Sequence, residues 1–112
     1  MVKNWTHGNP SGRIICKLRV SFGSDPEQVR DILLACAKDH PLVLDRPEPR
    51  AFLVAFGDIG LEFELRCVVG HVDNSLPVKS DLHFEILRRL RDANIPMPFP
   101  PHELRFATAG EP

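Results

Sequence analysis

The segment from Asn94 to Pro101, NIPMPFPP, separates a helical pattern from a short closing strand and restricts the fold more than any other part of the chain. Each proline fixes φ at about −65° and removes a backbone donor, so the segment neither continues a helix nor joins a central strand. Residues that precede proline are pushed toward extended geometry as well. The segment is therefore predicted to be a stiff, polyproline-like strut that aims the residues after it, His102 to Phe106.

A chain of 112 residues makes one domain with a core that needs no staples. Its net charge of −1 leaves no electrostatic footprint for nucleic acid or for an anionic membrane surface. No apolar run approaches the ~18 residues that span a bilayer, and no charged-then-apolar leader opens the sequence. Cys16, Cys36 and Cys67 are widely spaced and odd in number, which suits a reducing compartment rather than a disulfide framework.

Arg13 to Phe22 alternates, with Ile14, Cys16, Leu18, Val20 and Phe22 on one side and Lys17, Arg19 and Ser21 on the other, the period of a half-buried strand. Gly23, Ser24, Asp25 and Pro26 then stop the strand and start a helix, Asp25 as N-cap and Pro26 at the first helical position. Val29, Ile32, Leu33 and Cys36 continue at helical spacing until His40 and Pro41. A second strand is predicted over Arg50 to Phe56, a hairpin turn over Gly57 to Gly60 whose glycines allow positive φ, and a third strand from Leu61 to Val69. A polar loop from Gly70 to Pro77 leads to a helix over Val78 to Ala93, with Ser80 and Asp81 read as cap residues at its start and Asn94 as a left-handed C-cap. A fourth strand, about Glu103 to Ala107, closes the pattern.

The order strand, helix, strand, strand, helix, strand predicts an α+β, ferredoxin-like βαββαβ fold, a four-stranded antiparallel sheet with two helices on one face. Residues 1–12 read as a hinge and the remnant of a preceding β-domain, 13–107 as the domain, and 108–112 as a flexible tail. The first and third strands are then neighbours, and the three cysteines gather under the helices.

None of the chemistry-bearing residues assembles into a catalytic pattern. The cysteines lack a fourth ligand for structural zinc and read as core packing. His7, His40, His71, His83 and His102 form no i, i+4 pair and no HxH. Glu62 and Glu64 share the solvated strand face, without the cleft that splits the pKa values of paired catalytic carboxylates. The outward positions Lys17, Arg19, Glu62, Glu64 and Arg66 supply no aromatic platform for RNA. No enzyme, cofactor or metal is expected. The helix start at Gly23, Ser24 and Asp25 leaves open a different class of function, a small-ligand-binding regulatory module that holds an anion on free backbone donors.

Several segments taken in order carry a resemblance: Phe22 to Pro26, Pro47 to Pro49, Phe56 to Asp58, Phe63 to Arg66, Lys79 to Leu82, and Asn94 to Pro100. Together they resemble the C-terminal cytoplasmic domain of the small-conductance mechanosensitive channel (MscS) family, over nearly the whole chain. The resemblance implies a bacterial inner-membrane parent, a homo-oligomer expected to be heptameric, which opens under tension in osmotic downshock. It places this domain in the wall of a cytoplasmic cage, with membrane contact made only by segments N-terminal to it. It also implies that Pro96, Pro98, Phe99 and Pro100 form an assembly strut, and that Leu104 and Phe106 lie on a strand shared with other subunits.

Overall fold

The computed structural model describes residues 10–98. Three strands, β1 (Gly12–Val20), β2 (Arg50–Phe56) and β3 (Leu61–Val69), alternate with two helices, α1 (Pro26–Asp39) and α2 (Ser75–Asp92). The sheet order is β1-β3-β2, and β3 runs antiparallel to both neighbours. The strand joined to β1 through α1 therefore skips a place, and β3 fills the gap, which is the split βαβ arrangement. The sheet described is three-stranded rather than four-stranded, because the fourth strand expected near Glu103 to Ala107 lies outside the described residues.

The core follows from the two periodicities. Ile14, Cys16 and Val20 of β1 and Leu61, Phe63, Leu65, Cys67 and Val69 of β3 are buried on one sheet face. Val29, Leu33, Cys36 and Ala37 of α1 and Val78, Leu82, Ile86 and Leu90 of α2 close over them. Each fully buried aliphatic side chain contributes about 1.5–3 kcal/mol, so this single layer between sheet and helices dominates stability. No charged or polar residue is buried among the described residues.

Helix α1 starts as its sequence dictates: the Asp25 carboxylate accepts from the Glu27 and Gln28 amides at 3.0 and 3.5 Å, and Pro26 sits in the first turn. Helix α2 differs from expectation. It begins at Ser75, after a short 3-10 turn (Val72–Asn74), so Ser80 and Asp81 lie in its second turn and do not cap it. Pro77 is tolerated there because the first-turn amides have no intrahelical partner to lose. The hairpin also forms for another reason than the one expected: no described glycine has positive φ. The Gly57 amide donates to the Gly60 carbonyl at 2.8 Å, and Gly60 is required by crowding, since a Cβ there would strike the Val20 carbonyl oxygen.

Candidate functional site

The end of α2 and the start of the proline segment form one built feature. Asn94 takes φ 60°, the left-handed position after the helix. Its amide donates to the Arg91 carbonyl at 3.0 Å and the Ile95 amide to the Leu90 carbonyl at 2.9 Å. These paired bonds, with Ile95 and Leu90 both in the core, are a Schellman closure and its hydrophobic contact. The chain then turns back over the sheet. The Ser21 amide donates to the Pro96 carbonyl at 3.0 Å, and Met97 packs against the core. Pro98 Cγ lies 3.1 Å from where a Gly60 Cβ would stand. The strut is thus fixed at its root, across the end of β1 and the beginning of β3. Phe99, Pro100, Leu104 and Phe106 lie outside the described residues.

The second feature is the edge of β2, which pairs with no strand on its outer side among the described residues. Phe52, Leu53, Val54 and Phe56 are exposed, Phe56 at 79%. Val54 is the extra residue of a bulge, since Leu53 faces Phe63 while Ala55 faces Glu62. An apolar edge strand with unpaired backbone groups is a surface for a partner chain, and only the bulge interrupts its regularity. One aromatic side chain does lie on the outer sheet face: Phe52 faces Glu64 across the ladder and therefore lies outward. The near-continuous apolar run of β2 hid the alternation that marks a face.

Ion pairs tie the two helices together beside this frame. Arg89 donates to Glu85 at 2.6 Å along α2 and to Asp39 of α1 at 2.7 Å. Bonds from Arg88 and Arg89 hold the Glu85 carboxyl down at about 2. His40 Nε2 lies 2.9 Å from Asp81, which gives Asp81 a bridging place rather than a capping one. Glu62 and Glu64 pair with Arg19 and Arg66 on the outer face.

The helix start proposed for anion binding is already filled. Asp25 occupies the amides that an external anion would need, and Ser24 Oγ lies 3.2 Å from Ser21 Oγ. A Cβ on Gly23 would meet nothing within 4 Å, so that position is not sterically fixed. No described group of His, Cys, Asp and Glu is placed to hold a metal ion. No described helix is long and apolar enough to cross a membrane.

Residues 14–97 match the protein family described as "Mechanosensitive ion channel MscS, C-terminal". The chain is 31% identical over 103 residues to the miniconductance mechanosensitive channel MscM of Escherichia coli, covering 92% of this chain and 9% of that protein. It is 42% identical over 66 residues to the mechanosensitive channel MscK of the same organism, covering 59% of this chain and 6% of MscK. The chain thus spans about a tenth or less of the length of these relatives. A crystal structure of Helicobacter pylori MscS in the closed state superposes with a TM-score of 0.72 at 24% identity, over 82% of this chain and 36% of that one, which shows the fold. The matched family is one of channels and not of enzymes. With three quarters of its length matched to that family, the chain belongs to the MscS mechanosensitive channels, as their C-terminal domain.

Proposed function

We propose that this domain forms part of the wall of a cytoplasmic cage in a tension-gated channel, joins neighbouring subunits and supports gating in osmotic downshock. The observation that carries the reading is the anchored root of the strut. Ser21, Met97 and Gly60 hold it across the sheet end, just beyond Val20, the last residue of β1. On this reading the residues after Pro98 reach strands of other subunits. The apolar edge of β2 supports the same reading, since it offers backbone groups to a neighbour. The parent is then a homo-heptamer of the bacterial inner membrane, with membrane contact made by other parts of the protein and no nucleic-acid partner.

The test is truncation within the full-length parent. Removal must begin at Phe99, because Ile95 and Met97 belong to the core and their loss would confound folding with assembly. Deleting residues 99–112 is expected to lower oligomer mass by native mass spectrometry or to shift the tension threshold in patch recordings. An unchanged mass together with an unchanged threshold would remove the strut from assembly and gating.

A further inference from the structure

The outer face of the sheet sorts its charges by position. At one end Lys17 faces Glu64 and Arg19 faces Glu62, so the strands balance each other. At the other end Arg66 faces Arg50 directly across the ladder. Like charges opposed in this way destabilise a sheet. Both guanidiniums reach over the same ring, each Cζ 5.6 Å from the Phe52 centroid. Arg66 is bonded to Glu64 at 2.8 Å, whereas Arg50 and Arg13 have no carboxylate at ion-pair distance among the described residues. These three arginines border a cleft of about 240 Å³ walled by Ile15, Val68 and Pro47, with Glu48 also on its rim.

We propose that this cleft binds a small organic phosphate, with the phosphate on the arginines and a flat apolar body against Ile15, Val68 and Pro47. A guanidinium fork matches phosphate oxygens with two parallel bonds, and two forks without a carboxylate among the described residues, beside a third, offer more donors than the about four acceptor sites of one carboxylate. An apolar cavity of roughly 150 Å³ holds one benzene ring, and pockets for drug-sized ligands begin at roughly 300 Å³. The volume here therefore suits a single ring. The site does not include the strut, so it stands or falls independently of the assembly reading.

Phenyl phosphate and, separately, inorganic phosphate are titrated into the 112-residue chain at fixed ionic strength. Arginine Nε–H and Phe52 ring signals are followed by NMR. Phenyl phosphate is expected to saturate shifts at Arg13, Arg50 and Arg66 and to bind about tenfold more tightly than inorganic phosphate. Arg50→Glu and Arg13→Glu should each weaken it more than tenfold, while Arg91→Glu on α2 leaves it unchanged. Shifts that grow without saturation at every arginine overturn the site, as does binding indifferent to Arg50→Glu. Equal affinity for the two probes overturns the role given to the apolar walls.

Discussion

Two glycines in neighbouring turns make opposite demands on a methyl group. At Gly60 a Cβ would collide with the Val20 carbonyl oxygen and stand 3.0 Å from Arg19 Cγ and 3.1 Å from Pro98 Cγ. The first of these is backbone and cannot give way without moving β1. Gly60→Ala is therefore expected to destabilise by about 1–3 kcal/mol, through overpacking rather than through φ. Gly23→Ala meets open space, and no described glycine has positive φ. It should stabilise by about 0.4–1 kcal/mol through the unfolded chain. Urea denaturation checks both, as midpoints that move in opposite directions at constant slope. Equal costs at the two sites would show that Val20 and the strut do not crowd Gly60.

At the scale of elements, α1 and α2 are held by Arg89, which reaches both Glu85 and Asp39. The Glu85 carboxyl falls from an ordinary 4.5 to about 2, first because Arg88 and Arg89 donate to it. A depressed carboxylate contributes stability that is complete above its unfolded pKa and is lost as protons bind the folded state. The contribution should therefore persist above pH 4.5 and fade between there and pH 2. Thermal unfolding across that window should show a falling midpoint, and Glu85→Gln should flatten the fall while lowering the plateau. A Glu85→Gln profile parallel to that of the unaltered chain would sever the link. The bridge to Asp39 is invisible in the sequence, because Asp39 and Arg89 are fifty positions apart, whereas Glu85 and Arg89 are neighbours on one helix face. The strands and α1 were legible, because Asp25 and Pro26 and the period-two runs each act locally. Helix α2 starts earlier than its sequence suggests for the same reason inverted: Ser80 and Asp81 look like a local cap, yet a 3-10 turn capped by His71 leads into the helix at Ser75. The strut's root was legible at Asn94 but not at Gly60, where the requirement comes from a strand forty residues earlier.

For the whole molecule, the three cysteines report where the core is. Ile14 faces Cys67 and Cys16 faces Leu65 across β1 and β3, and Cys36 of α1 closes over that face. All three are free thiols, and none is more than 4% exposed. Burial pushes Cys16 and Cys67 up to about 11 and raises Cys36 as well. At pH 8 a thiol at that value is thiolate in roughly a thousandth of molecules, and the thiolate is the nucleophile. A disulfide reagent at pH 8 should therefore label none of the three in the folded chain within minutes, and all three in urea. At intermediate urea, labelling requires opening, so its rate reports the free energy of that opening. Cys67 lies on the central strand β3 and Cys16 on β1, which pairs with β3 along its whole length, so both should open only with global unfolding. Cys36 borders the cleft that also contains His40, Asp81 and Arg89, and it should label at a lower opening energy because that cleft is closed by the surface pairs Arg89–Asp39 and His40–Asp81, and such pairs contribute little. Mass spectrometry of partly labelled chains separates the sites. Rapid native labelling of Cys16 or Cys67 would contradict a core shared by sheet and helices, whereas Cys36 leading the other two would locate the weakest seam of the domain between α1 and α2.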